Sequence, residues 1–167
     1  MKQKGDQMDD QLLELIKQYP LIIGIGNTLR GDDGAGVILV ERLIARGYDN
    51  ALVVHSTPEN YLRRIAESSA NLRLWVDIIN WGGKPGDWRI LDHQEIGNYA
   101  ISTHNFSPVV LLEFLKEWKD IPDYFLGIQP RSTNLGEGIS EEVSLTINKL
   151  SDLIFSAIDT DPDSSKR

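Results

Sequence analysis

The chain of 167 residues contains no cysteine. This absence excludes disulfide bonds, thiolate metal sites and a cysteine nucleophile. Basic residues are also few, since 17 Lys and Arg stand against 25 Asp and Glu and give a net charge of -8. Such a balance argues against nucleic acid, and against an anionic membrane surface, as a partner. No apolar run approaches the roughly 20 residues of a membrane-spanning helix, and the polar segment 1–10 lacks the apolar core of a signal peptide. We therefore expect a cytoplasmic protein without membrane insertion.

The glycine-rich segment 24–36 lacks the residues that normally bind phosphate. Leu29 stands where a dinucleotide fingerprint needs its third glycine, and Asp32 and Asp33 stand where a P-loop needs Lys and Ser or Thr. Amides at a helix N-terminus attract anions, but two adjacent carboxylates repel them. The segment therefore predicts a loop that offers carboxylate oxygens to a cation or a proton. A degenerate nucleotide-binding domain is the less favoured alternative.

Apolar runs and helical patterns alternate along the chain, which predicts a mostly parallel sheet with helices on both faces. We expect a single three-layer α/β/α domain with a twisted sheet of about five strands. The fourth strand is expected to run antiparallel, because the turn at 82–86 leaves no room for a crossover helix. The predicted divisions are a helical N-terminal extension at 1–19, the α/β domain at 20–158 and a flexible tail at 159–167. The predicted strands are 21–25, 50–56, 71–78, 87–91 and 124–128, and the predicted helices of the domain are 37–46, 57–69, 108–119 and 140–158.

Functional side chains of open α/β sheets lie beyond the carboxyl ends of the strands. Asp32 and Asp33 follow the first predicted strand, Asp77 ends the third, and His104 lies in a polar loop before a helix. Two carboxylates and one imidazole would form a three-ligand site for a hard-to-borderline divalent ion. His55, at the end of the second strand, competes with His104 for that role.

Each of these residues also has an ordinary structural interpretation. Asp32 and Asp33 can cap a helix, and Asp77 can form a turn. A lone histidine such as His104 is often a surface residue. His93 lies in a polar segment that we interpret as a solvated loop.

Four blocks in order resemble the hydrogenase maturation endopeptidases, which trim the C-terminus of the large subunit of nickel-iron hydrogenases. The blocks are Gly24–Leu29 with Asp32–Gly36, Trp75–Asp77 with Pro85–Gly86, Ser102–Asn105, and Phe125–Pro130. The segments Pro58–Asn60 and Thr103–Asn105 resemble the branch that serves formate-hydrogenlyase-type or related energy-converting hydrogenases. Because the order holds over about residues 21–145, the resemblance is more specific than any one block.

The resemblance implies an endopeptidase that removes a short C-terminal extension from a nickel-loaded large-subunit precursor. It implies that Asp33, Asp77 and His104 contact nickel that the substrate supplies, so no permanent cofactor is expected. The precursor is the implied partner, and the protease is expected to be a monomer. A non-proteolytic nickel-binding or scaffold protein is the alternative from another class.

The chemistry leaves one choice open. Either the metal activates water or polarises the scissile carbonyl, or a carboxylate such as Asp32 acts as general base. Asp33, Asp77, His104 and Asp32 are therefore the candidate catalytic residues. The residues expected to approach the peptide closely and to offer it backbone amides are Gly26, Asn27, Gly31, Gly82 and Gly83.

Overall fold

The computed structural model describes residues 4–99 and 107–159. Its strands are β1 (Leu21–Ile25), β2 (Ala51–His55), β3 (Arg73–Ile78), β4 (Trp88–Asp92) and β5 (Asp123–Ile128). Its helices are α1 (Lys4–Ile16), α2 (Ala35–Ala45), α3 (Leu62–Ala66), α4 (His93–Ile96), α5 (Pro108–Trp118) and α6 (Glu141–Asp159), with 3₁₀ turns at Gly31–Gly34 and Pro58–Tyr61. In the two described ranges, no helix combines the length and the apolarity needed to cross a bilayer.

The five strands form one sheet in the order β2-β1-β3-β5-β4. The strands β2, β1, β3 and β5 run parallel, and β4 pairs antiparallel with β5. The chain leaves β1 toward β2 on one side and then returns to form β3 on the other side of β1. This reversal of winding opens a crevice between the carboxyl ends of β1 and β3, which is where open α/β sheets bind their ligands.

Apolar side chains cover both faces of the sheet and form two cores. Successive residues of β1 alternate between them, since Ile22 belongs to one core and Ile23 to the other, as the two-residue period of a strand requires. Helices α1, α2 and α6 contribute to the first core, and α3, α4 and α5 contribute to the second. The predicted three-layer α/β/α fold with a mostly parallel five-stranded sheet is confirmed.

Three local expectations differ from the structure. The helix expected over 57–69 is a 3₁₀ turn followed by the short α3, and the side chain of Thr57 makes no capping hydrogen bond. The segment interpreted as a loop around His93 is α4, which begins with a reciprocal capping box between Asp92 and Glu95. The helical spacing of apolar residues predicts a helix over 11–19, whereas α1 spans Lys4–Ile16 and buries Leu12 completely in the first core.

Candidate active site

Two of the predicted site acids flank the crevice at the winding reversal. Asp33 lies in the 3₁₀ turn that follows β1, and Asp77 lies near the end of β3. The first turn of α2 packs tightly over the same two strands, because a Cβ on Gly36 would lie 2.2 Å from the Val76 carbonyl oxygen and 2.4 Å from that of Ile25. The structure thus brings the loop of Asp33 directly onto the strand end that carries Asp77.

The loop between β1 and Asp33 folds back on itself. The backbone N–H of Asn27 donates to the Asp33 carbonyl oxygen at 3.1 Å and to its carboxylate Oδ2 at 3.2 Å. The Asn27 side chain accepts a hydrogen bond from the Leu29 N–H at 2.9 Å, a local turn that asparagine favours. Gly26 has a φ of 141°, and a Cβ there would lie 1.9 Å from the Asp33 carbonyl oxygen, so only glycine fits.

Asp32, Asp33 and Asp77 are each exposed by 1% or less. Asp77 shares the strand face of Trp75, two residues earlier, so it points toward the layer that contains α5. Its Oδ1 accepts a hydrogen bond from the Ile78 N–H at 2.8 Å. Three buried acids at one edge of a sheet are an uncommon concentration of acidic groups, because buried carboxylates are rare unless they are bound by partners.

Asp32 binds a loop that is distant in sequence. Its Oδ2 accepts hydrogen bonds from the Arg131 N–H at 2.7 Å, the Ser132 N–H at 3.2 Å and the Ser140 hydroxyl at 3.0 Å. Its Oδ1 accepts one from the Ser140 N–H at 2.7 Å. These four bonds use both oxygens to hold the loop between β5 and α6. Of the roles left open for Asp32, the contacts favour support of the site over proton transfer.

The loop that Asp32 holds, residues 131–140, has further internal bonds. The Asn134 side-chain amide donates to Glu137 at 2.8 Å. A hydrogen bond from the Ser132 side chain, and then the one from Asn134, hold the pKa of Glu137 below its ordinary value. Glu137 therefore favours its charged form in the folded loop.

Gln129 organises a second loop at the crevice, and sequence reasoning did not single it out as a site residue. Its Oε1 accepts hydrogen bonds from the Trp81 N–H at 3.0 Å and the Gly83 N–H at 3.1 Å, and its Nε2 donates to Asn80 Oδ1 at 3.1 Å. Gln129 is only 4% exposed. A buried polar side chain directly after a parallel strand was the signal that could have identified it.

The structure corrects one expectation about the residues assigned to peptide binding. The backbone amides of all five already donate within the chain, so they are not open donors. The amides of Gly26 and Asn27 bind His55 O and Asp33, that of Gly31 binds Glu137 O, and those of Gly82 and Gly83 bind Asn80 Oδ1 and Gln129 Oε1. Close approach of a peptide to these residues stays a prediction.

Of the three histidines, His104 lies outside the described residues, and His55 and His93 lie within them. His55 ends β2 beside Ile25, is exposed and has a φ of 52°, whereas His93 is the first residue of α4. Within residues 4–99 and 107–159, no group of three His, Asp or Glu side chains has a metal-binding arrangement. The predicted set of three ligands therefore depends on His104.

Comparisons with known proteins relate the chain to one family. The family model described as HycI, hydrogenase maturation protease, matches residues 39–157, a range that contains Asp77 and His104 but not Asp33. Hydrogenase 3 maturation protease of Escherichia coli K12 is 39% identical over 114 residues, which cover 66% of this chain and 72% of that protein. A putative hydrogenase maturation protease of Methanocaldococcus jannaschii is 31% identical over 85% of this chain and 97% of its own length.

Solved structures give the same assignment. The crystal structure of the nickel-iron hydrogenase maturation protease HycI from Thermococcus kodakarensis has a TM-score of 0.80 and 31% identity, and the match covers 90% of this chain and 99% of that one. The solution structure of the endopeptidase HycI from Escherichia coli has a TM-score of 0.69 and 30% identity, over 80% and 86% of the two chains. The family resemblance predicted from the sequence is thus confirmed, and the chain belongs to the hydrogenase maturation protease family.

Proposed function

We propose that this protein is an endopeptidase that removes a short C-terminal extension from the nickel-loaded precursor of a nickel-iron hydrogenase large subunit. The observation that carries the proposal is the pairing of family membership with two buried acids, Asp33 and Asp77, on either side of the crevice. The identity to the Escherichia coli hydrogenase 3 maturation protease supports hydrogenase maturation as the process, and placement in the formate-hydrogenlyase-type branch stays a prediction. A cytoplasmic location and a monomeric state stay predictions.

Nickel that belongs to the substrate is the proposed recognition element. Carboxylate oxygens and an imidazole suit a borderline divalent ion such as Ni²⁺. Asp33 and Asp77 supply the carboxylates, and His104 supplies the imidazole. The loop of Asp33 is fixed by Asn27 and packed against β3 through Gly36, so that the precursor's metal would meet a preorganised pair of acids.

Cleavage requires water to attack the carbonyl carbon of the scissile peptide bond. The C–N bond then breaks, and the new amine takes a proton as the new carboxylate forms. Polarisation of that carbonyl, or activation of the water, by the bound metal is one route, and a carboxylate acting as general base is the other. Because Asp32 already accepts four hydrogen bonds, we assign it to support of the loop and not to the base.

Single substitutions test this assignment. Asp33→Ala, Asp77→Ala and His104→Ala should each lower processing of nickel-loaded precursor by about 100-fold or more, measured as release of the extension by mass spectrometry. His93→Ala on α4 is the matched control and should process the precursor normally. Near-normal processing by the Asp77 and His104 variants would contradict the site.

Two further outcomes of the same assay separate the remaining alternatives. Efficient cleavage of nickel-free precursor would contradict the proposal that nickel is the recognition element, but it would support the protease assignment. Binding of the loaded precursor without cleavage, in a purified mixture, would instead support a non-proteolytic maturation protein.

A further inference from the structure

The two most exposed large apolar side chains of the described residues are Leu135, at 73%, and Leu29, at 68%. Isolated exposed leucines are common on soluble proteins. The backbones that carry these two leucines are joined, because Gly136, directly after Leu135, donates its N–H to the Leu29 carbonyl oxygen at 2.8 Å. This bond links segments that lie more than one hundred residues apart in the sequence. We name Leu29 and Leu135 the leucine rim.

The backbone beneath the leucine rim is firmly connected. The Gly31 N–H donates to the Glu137 carbonyl oxygen at 3.0 Å, and the Asp32 N–H donates to that of Ser132 at 2.9 Å. The four hydrogen bonds to the Asp32 carboxylate hold the same two segments together. A rim on loops that are fixed in this way loses little conformational entropy when it binds a partner.

The leucine rim lies beside the crevice. The Leu29 N–H donates to the Asn27 side chain, and the Asn27 N–H donates to Asp33. Only three residues separate Leu29 from Asp33 along this hydrogen-bonded loop. A substrate seated over Asp33 would therefore have its surface close to the rim.

The shape of the rim indicates what it contacts. Side chains more than two-thirds exposed project outward, and three cavities formed by the described residues are lined by other side chains. A projecting apolar group gains most when it enters a concave apolar site on its partner. A folded protein offers such a site, whereas an extended peptide does not.

We infer that the leucine rim docks into an apolar depression on the folded body of the precursor, next to the bond that is cut. This inference rests on the proposed function. It assigns the rim to substrate affinity and not to chemistry, because leucine has no group that can move a proton or bind a metal. The rim would select the folded precursor over other proteins that carry a free C-terminal segment.

The test compares Leu29→Ser, Leu135→Ser and the double variant with the wild-type protein. Processing of a nickel-loaded large-subunit precursor is measured for KM and kcat, and binding of the same precursor is measured separately by biolayer interferometry. We expect KM and Kd to rise about tenfold for each leucine, with kcat within about twofold. Ile44→Ser is the control, because Ile44 is 45% exposed on the last turn of α2, about 15 Å along the helix from the crevice.

The outcomes separate the docking inference from the proposed function. If the wild-type protein cleaves the precursor and the double variant has an unchanged KM, the docking inference is overturned. If the wild-type protein does not cleave the precursor, the proposed function fails, and the docking inference is then judged from the Kd values alone. A higher Kd for the double variant than for the wild-type protein supports docking, and an equal Kd overturns it. A synthetic peptide of the extension should bind the wild-type protein and the double variant with the same Kd. If the double variant binds the peptide and the precursor more weakly by the same factor, the rim does not contact the folded body of the precursor, and the inference is overturned.

Discussion

Buried carboxylates lie at both edges of the sheet, and the two edges hold them in different ways. At the amino edge, where the parallel strands begin, Asp123 forms a two-point ion pair with Arg73 at 2.7 and 2.8 Å. At the carboxyl edge, Asp32 is held by three backbone amides and a hydroxyl, all of them neutral. The first arrangement pairs two opposite charges within the fold, whereas the second holds a carboxyl group at the crevice with neutral donors alone.

The amino edge is complete without any ligand. The Trp75 indole N–H adds a third hydrogen bond to Asp123 at 2.7 Å, and the Lys119 ammonium donates to two backbone carbonyls nearby. Every charge in this cluster is satisfied by protein atoms. The carboxyl edge gathers Asp32, Asp33 and Asp77 in one place, and several buried acids at one site are the kind of arrangement that costs stability and is kept for function. The comparison predicts that substitutions at the amino edge change stability and that those at the carboxyl edge change processing.

The largest stability effect should come from Arg73→Met, which leaves the buried Asp123 without its guanidinium. We expect a loss of about 3–5 kcal/mol in the free energy of unfolding, measured by urea denaturation at pH 7. The double variant Arg73→Met/Asp123→Asn should recover part of this loss, because the isolated charge is gone and the Trp75 N–H keeps an acceptor. Arg63→Met, which breaks the exposed pair with Glu67, should lower the free energy of unfolding far less, because solvent screens that pair. An equal loss of unfolding free energy in Arg73→Met and Arg63→Met would contradict the special role of the buried ion pair at the amino edge.

A smaller effect on stability, with a distinct effect on processing, is expected for Asp32→Asn. An amide cannot accept all four hydrogen bonds, so the variant should lose about 1–3 kcal/mol of stability. Since the loop that carries Leu135 would loosen, KM for the precursor should rise while kcat and its pH profile stay unchanged. Asp33→Asn, one residue later, should lower kcat instead. A fall in kcat for Asp32→Asn, with loss of the acidic limb of the pH profile, would restore the general-base role.

The smallest expected effect is a change in the stability of the loop 131–140 at acid pH. The Ser132 and Asn134 hydrogen bonds lower the pKa of Glu137. The charged Glu137 carboxylate therefore stabilises the loop fully at pH values above the pKa that this group has in the unfolded chain. That contribution is lost as the pH falls through the lowered folded pKa. We expect the Glu137 carboxyl signal in NMR to titrate below the ordinary glutamate range. Ser132→Ala should raise the midpoint, and an unchanged midpoint would show that the hydrogen bond has no influence on it.

The sequence predicted the parts of the molecule that depend on local patterns. Apolar runs gave all five strands, and the short link after β3 correctly gave the antiparallel β4. The capping box of α4 was also visible, since Asp92 and Glu95 stand three residues apart, but the polar composition of the segment favoured a loop. The break of the predicted 57–69 helix into a 3₁₀ turn and α3 had no equally plain signal.

The site was only partly predictable for a physical reason. The position of Asp77 at the end of an apolar strand is a local property, and it places the acid at the carboxyl edge. The partners of Asp32 and Gln129 lie about one hundred and about fifty residues away along the chain. No periodicity in one sequence specifies such pairings, because they arise from the docking of separate loops onto the finished sheet. The same holds for the joining of Leu29 to the segment of Leu135.

The bonds from Asp32 to residues 131, 132 and 140 also set an order of events during synthesis. A chain that has left the ribosome only as far as β3 already carries Asp32, Asp33 and Asp77, but it has nothing to fasten the loop that holds the first two. Contacts of such long sequence separation form late in folding. The crevice therefore takes its final shape only after the start of α6 has been made, and until then Asp32 lacks the amides and the hydroxyl that it binds in the finished fold.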